Sequence, residues 1–409
     1  MDFTDTPEEA EYRAKVRAFL DANADRKEPG KLFQVAYGQD NLVPVAKEWQ
    51  AKKYAAGFAG ITMPKEYGGQ GGGQMQQVIY NQEESNYLVP RGVYEIGLGM
   101  CIPTMLTYAT EEQKQRYAGP ALRGEEIWCQ LFSEPSAGSD LAGLRTRCVK
   151  DGDDWIINGQ KIWTSGAHFC DYGVLVTRSD PAQPKHKGLT YFFLDMKSPG
   201  VEVRRIKQIS GVSNFNEVFF TDVRIPDAQR LGAVGDGWRV SITTLMNERL
   251  AVGQTPPPDF DEIFALARQI ELEDGPAIQD SELRGKLADW YVQQQGLKYS
   301  QFRTMTALSR GETPGPESSI TKIVSANKRQ QIAHYAMDLM EAGGICMDSE
   351  SMPMRAMFQD SLLSSPSGRI AGGTDEILRN IIAERVLGLP SDIRVDKDVP
   401  FDKLPTGKN

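Results

Sequence analysis

A chain of 409 residues with a net charge of −9 and a pI near 5.2 is longer than one hydrophobic core usually sustains, so two or three domains are expected. It has no dense Lys/Arg block and no basic-aromatic stripe, which argues against nucleic acid or an anionic membrane as partner. Its five cysteines are widely spaced and odd in number, fitting neither a disulfide framework nor a zinc site, and no apolar run approaches the roughly 18 residues of a membrane span. The expectation is a cytoplasmic protein with no metal, no targeting segment and no membrane span.

Thr6-Pro7-Glu8-Glu9 reads as a capping box with Pro at the first helical position, and Tyr12, Val16, Phe19 and Leu20 then share one face. Further helical patterns fall at about 43–57, 74–87 and 111–119. The Gly-rich run at 68–73 lacks the Gly-Lys-Ser/Thr ending of a phosphate loop and reads as a connector. Residues 1–125 are therefore an N-terminal helical domain. From 126 to 238 the period shortens to strands, at 148–149, 155–157, 173–177, 190–194 and 217–220. Asp151-Gly152 and Asn158-Gly159 read as turns, which suggests a small β-sandwich or barrel. From 239 to 390 helices return, at about 240–253, 260–272, 282–310, 317–342 and 375–387, broken at Pro256-Pro257-Pro258 and Pro314-Gly315-Pro316, as in a bundle. Residues 391–409 read as a polar, exposed tail. The fold class is thus α+β, with helical, β and helical parts in that order.

Chemistry concentrates in a few stretches. Gln130 to Asp140 is an apolar strand running into Ser133-Glu134-Pro135-Ser136-Ala137-Gly138-Ser139, where the backbone can approach a ligand closely and turn N–H groups toward an anion. Asn158-Gly159-Gln160-Lys161-Ile162-Trp163-Thr164-Ser165 offers an aromatic followed by two hydroxyls, a wall for a flat heterocycle with polar edges. Together they form either a cofactor cradle or ordinary turns. On the helix from Val240, residues Ile242, Leu245, Met246, Leu250 and Val252 form an apolar arc with Arg249 inside it and Glu248 at its edge. Those charges belong either to an internal ion pair with a snorkelling Arg, or to a ligand cavity in which Glu248 acts as a base. Thr374 can cap a helix after Gly372-Gly373, whose N-terminus then suits an anion. Gly343-Gly344 follows a long helix, where a C-cap is the simplest reading. His168, His186 and His334 are scattered without ligand spacing.

Ser133-Glu134-Pro135 through Asp140, Asn158-Gly159-x-Lys161-x-Trp163, and Gly372-Gly373-Thr374-Asp375-Glu376-Ile377-Leu378-Arg379-Asn380 appear in this order and spacing. The set resembles the acyl-CoA dehydrogenase family across essentially the whole chain. The resemblance implies FAD as cofactor, held by Phe132, Ser133, Ser139, Trp163, Thr164, Ser165 and Thr374. Glu376 would lie on a helix that meets the cofactor, and Gly343 and Gly344 at a turn that meets the FAD of a neighbouring subunit. It further implies removal of an α-proton from an acyl-CoA by a carboxylate while the β-hydride leaves for the flavin. Electrons would then pass to an electron-transferring flavoprotein.

Two departures qualify the resemblance. Most members carry the base in a Glu-Gly-Thr segment, and here that position is Gly372, which keeps only a backbone N–H for the thioester carbonyl. A minority place the glutamate just before the helix arginine, as in Glu248-Arg249-Leu250, so Glu248 is the expected base. In typical members an Arg-x-Phe-Gly segment follows that helix, whereas here Gly253-Gln254-Thr255 leads into three prolines. The expected assembly is therefore a homodimer or homotetramer, or a mixed tetramer with a non-identical partner. The alternatives are a half-site or catalytically silent subunit of such a mixed assembly, or a flavin oxidase of the same fold.

Overall fold

The computed structural model describes residues 5–27, 41–251, 258–309, 315–316 and 318–405, without the side chains of 248–251, 305, 308–309 and 318. These residues fall into two compact units. One comprises residues 41–73, 89–251 and 392–405, and the other residues 5–27, 74–88 and 258–391.

The first unit is built on a seven-stranded sheet. Its strands are β1 (Trp128–Leu131), β2 (Arg147–Asp151), β3 (Asp154–Ser165), β4 (Tyr172–Arg178), β5 (Leu189–Asp195), β6 (Val201–Ile206) and β7 (Phe215–Pro226). The order is β1-β4-β2-β3-β7-β6, with β5 on the side of β4. β1 runs parallel to β4, while the β2/β3 hairpin and the long β3/β7 pair are antiparallel. Alternation assigns the two faces: Leu131, Ile157, Leu175, Phe192 and Val218 enter one core, and Trp128, Val174, Val176, Tyr191 and Phe193 the other. β4 and β5 are covered on both faces, which is why they read as unbroken apolar runs.

Around the sheet lie α2 (Leu42–Ala55), the pair α4 (Ile102–Tyr108) and α5 (Glu111–Arg123), and α6 (Gly237–Ala251). α6 sits on β5. Val240, Ser241 and Thr244 are fully buried, and the Thr244 hydroxyl meets those of Thr104 (3.0 Å) and Tyr191 (2.9 Å). Of the apolar arc expected on this helix, Leu245 packs against the core but Ile242 and Met246 are both 41% exposed, and the side chains of Leu250 and Val252 lie outside the described residues. Buried hydroxyls that satisfy one another replace the aliphatic stripe that hydropathy alone would select.

The second unit combines α1 (Pro7–Asn23) and α3 (Gln74–Glu84) with α7 (Phe260–Ala267), α8 (Ser281–Ser309), α9 (Ser318–Leu339), α10 (Met357–Gly368) and α11 (Asp375–Ile381). The capping box at Thr6 is present, with Glu9 N–H donating to its hydroxyl and Thr6 N–H to the Glu9 carboxylate. Leu283, Leu287, Trp290, Ile332, Ala336 and Phe358 form the core. The buried Lys328 ammonium on α9 pairs with Asp259, the N-cap of α7, at 2.6 Å.

Several local expectations are corrected. Asn158-Gly159 is not a turn but lies inside β3, where the register to β7 slips between Ile157 and Gly159. Gly159 has φ 152°, and a Cβ there would stand 2.6 Å from the Thr146 Cα, so the Asn-Gly pair marks a bulge against a neighbouring chain segment. α4, β6 and α10 were not anticipated: α4 has only 7 residues, β6 is short with outward charges, and α10 contains Pro366. The 391–409 segment is not a free tail. Its residues 396–404 fold back onto the sheet unit, with Phe401 N–H donating to the Gln183 carbonyl and Asp402 N–H to that of Pro181.

Candidate cofactor-binding site

Within the sheet unit, the two signature stretches are joined by one buried ion pair. β3 alternates Trp155, Ile157 and Lys161 inward, and a lysine on that face needs an anion. The Lys161 ammonium, 0% exposed, donates to the Glu134 carboxylate at 2.8 Å and to the Phe132 carbonyl at 2.9 Å. Glu134 also accepts from the N–H groups of Arg145 (2.6 Å) and Thr146 (2.9 Å), and the Ile162 N–H donates to the Ser133 carbonyl at 2.8 Å. Burial works to raise the Glu134 pKa, but Lys161 and the donors around it win and hold the carboxyl below its usual range. Burial dominates at Lys161 and lowers its pKa. Neither residue was singled out from sequence as a site residue. The signal was available in the inward register of a lysine on an otherwise apolar strand face.

A second register slip, between Lys161 and Thr164, decides what the strand presents. Without it Trp163 would continue the inward series. With it Trp163 takes φ 60°, turns outward and is 56% exposed, its ring edge-on to Phe215. Thr164 turns inward, and its hydroxyl is buried with no hydrogen-bond partner among the described residues. The Thr164 carbonyl accepts from the Asn216 amide (2.8 Å), whose oxygen meets His168 Nδ1. An exposed aromatic face beside an unsatisfied hydroxyl fits a flat heterocycle with polar edges. Those residues therefore suit FAD.

The remaining expected contacts are distributed as follows. Ser165 lies half-buried at the end of β3, Ser133 lies half-buried in the loop between β1 and β2, and Ser139 is exposed in the same loop. Phe132 is buried with its ring edge-on to Tyr191. Glu248 and Arg249 belong to α6, but their side chains lie outside the described residues.

In the helical unit, Thr374 caps α11, its hydroxyl accepting from the Ile377 N–H. The loop before it is pinned by the Lys322 ammonium on the Gly373 carbonyl and by Arg369 with Asp375, which is 2% exposed and also accepts from Asn327. Burial pushes the Asp375 carboxyl upward, but Arg369, Asn327 and Lys322 together outweigh it and the net direction is down. Gly372 is exposed, and no backbone carbonyl among the described residues accepts its N–H. Glu376 is exposed on α11. Gly343 and Gly344 form a 3-10 turn, but neither is left-handed; the residue at positive φ is Glu341. Gly344 is required by close approach instead, since a Cβ would stand 2.6 Å from the Met337 carbonyl oxygen. Close packing thus explains Gly344, whereas a Cβ at Gly343 would meet only the Met352 sulfur, at 3.9 Å.

Among the described residues there is no group of three or more His, Cys, Asp or Glu that could hold a metal, and no helix long and apolar enough to cross a membrane. The five cysteines are free thiols, four of them buried.

The N-terminal, middle and C-terminal domain families of acyl-CoA dehydrogenase match residues 6–125, 129–223 and 235–387. Acyl-CoA dehydrogenase FadE34 of Mycobacterium tuberculosis is 40% identical over 329 residues, which cover 80% of this chain but only 44% of that relative. A solved steroid ACAD, Tcur3481-Tcur3483, is 28% identical with a TM-score of 0.78, over 96% of this chain and all of that one. The ChsE4-ChsE5 complex from Mycobacterium tuberculosis is 26% identical, also at a TM-score of 0.78, over 96% and 100% of the two chains. The chain belongs to the acyl-CoA dehydrogenase family of flavin-dependent oxidoreductases.

Proposed function

We propose that this chain oxidises the acyl group of an acyl-CoA thioester to its trans-2-enoyl form, with FAD as cofactor and Glu248 as the base. The observation that carries the reading is the β3 bulge, which turns Trp163 outward and leaves the Thr164 hydroxyl buried and unpartnered. When bound, FAD supplies the acceptor for the β-hydride. Trp163 would flank its ring, Thr164, Ser133 and Ser165 would bond its polar edge, and Ser139 would meet its pyrophosphate; Thr374, in the other unit, is a further contact implied by the resemblance, to the FAD of this chain or of a copy. An α-C–H is a weak acid, so the thioester carbonyl must be polarised while a carboxylate oxygen of Glu248 takes the proton. The N–H of Gly372 is suited to that task because no backbone carbonyl among the described residues accepts it.

A glycine where most members have a glutamate leaves room for a bulky acyl group, and the likeness to a steroid ACAD supports a polycyclic acyl-CoA as substrate. An electron-transferring flavoprotein is the proposed acceptor. Likeness to a two-component complex supports a mixed assembly as the second reading, in which a partner subunit completes the site.

The test is anaerobic titration of the FAD-loaded chain with straight, branched and polycyclic acyl-CoAs. Flavin absorbance should bleach with the polycyclic class, and Glu248→Gln should slow bleaching by about a thousandfold, as for loss of a general base. Equal bleaching in the Gln variant would remove Glu248 from the mechanism. Rapid reoxidation of the reduced flavin by oxygen would move the reading to an oxidase.

A further inference from the structure

The loop between β1 and β2, residues 132–146, carries Ser133, Ser139 and Asp140. Its root is fixed by Glu134 on the Arg145 and Thr146 N–H groups. Its outer part is fixed differently. Arg178, only 4% exposed, donates to the carbonyls of Ala142 and Leu144 in this loop and to that of Lys185. Lys185 in turn holds both oxygens of Asp140, at 2.9 and 3.0 Å.

Each of these cations has a second contact, and both contacts come from the far end of the chain. The Phe401 ring covers the Arg178 guanidinium at 3.8 Å from carbon to centroid, with Arg145 at 5.3 Å. Asp396 shares the Lys185 ammonium with Asp140. Main-chain bonds from Phe401 and Asp402 to Gln183 and Pro181 and a bridge between Pro184 and Pro400 fix the segment's register. Among the described residues, Arg178 has carbonyls and a ring around it but no hydrogen-bonded carboxylate. The ring face therefore does two things: it offsets the buried charge, and it excludes water that would compete with the loop carbonyls for the guanidinium N–H groups. Asp140 and Asp396 are 60% and 35% exposed, so their shared pair contributes less than the ring.

We infer that residues 396–404 are a clamp that positions the 138–144 loop for its ligand, with Phe401 and Asp396 as positioning residues acting through Arg178 and Lys185. The ligand's identity as FAD rests on the function proposed above, whereas the clamp itself is measurable without any ligand.

The test compares the parent chain with Phe401→Ala, Phe401→Tyr and a chain ended after Val395. Amide hydrogen exchange is read in the ligand-free proteins, and FAD affinity from flavin fluorescence. The expected result for Phe401→Ala and for the shortened chain is about tenfold faster exchange at Gly143 and Leu144 and a comparable rise in Kd for FAD. Protection of β4 should be unchanged, and Phe401→Tyr should restore both readouts. Parental exchange in the loop of Phe401→Ala would overturn the proposal. So would faster loop exchange with unaltered FAD affinity, or loss of β4 protection together with the loop, which would make Phe401 a residue of general stability. A parent chain that binds no FAD would sink the cofactor reading, and the exchange data alone would then decide whether the clamp exists.

Discussion

Lys161 and Glu134 illustrate how much one pair can fix. Breaking a buried pair from one side leaves an uncompensated charge, so Lys161→Met should lower stability by about 3–5 kcal/mol, and adding Glu134→Gln should recover a large part of it. Urea denaturation of the two variants and the parent checks this. The pair also sets a pH dependence. The folded Glu134 carboxyl titrates below its ordinary value of 4.5, so its contribution is fully present above that value and is lost as pH falls through the lower folded one. The parent should therefore lose urea resistance more steeply than the double variant below about pH 4.5. If the two acid limbs are parallel, the pair contributes nothing to acid stability. Sequence reading reached the hydroxyls and Trp163 around this pair from the residues themselves and from family resemblance, yet passed over the pair itself. A site residue is sought where chemistry is exposed, and these two act from the interior.

At the scale of elements, β3 is where the amino-acid pattern was most informative and most easily misread. Helix positions, the β2/β3 turn at Gly152 and the strands β4 and β5 were legible because periodicity and turn residues agree there. Asn158-Gly159 carries the same turn chemistry, but pairing with β7 continues through it, so tertiary contact overrides local preference. α10 and β6 escaped notice because a proline and outward charges mask their periods. The bulge makes a strong prediction. In Gly159→Ala the new Cβ would stand 2.5 Å from the Thr146 hydroxyl oxygen and 2.6 Å from the Thr146 Cα, and backbone cannot yield as a side chain can. Stability should fall by about 1–3 kcal/mol, measured by thermal melting. Because Trp163 and Thr164 lie four and five residues further along the same strand, FAD affinity should fall with it, while Gly285→Ala, on α8 with open space around it, should leave FAD affinity unchanged.

For the whole molecule, the proposed cofactor contacts are divided between the two units: Ser133, Ser139, Trp163, Thr164 and Ser165 in one, Thr374 and Glu376 in the other. That division distinguishes a self-sufficient enzyme from a half-site subunit. A ligand held by the native state alone stabilises it by about 2.7 kcal/mol at a hundredfold excess over its Kd, whatever the number of contacts. A rise in melting temperature with FAD therefore shows binding without showing which unit binds. Hydrogen exchange resolves this. If one chain completes its own site or a copy of itself completes it, FAD should slow exchange both at 133–165 and at 369–378, where Arg369, Asp375 and Lys322 already fix the loop that carries Gly372. If a non-identical partner is required, FAD alone should protect the sheet unit only. Protection at 369–378 should then appear when the partner is added. Protection in both units of the isolated chain would exclude the mixed assembly as a requirement for cofactor binding.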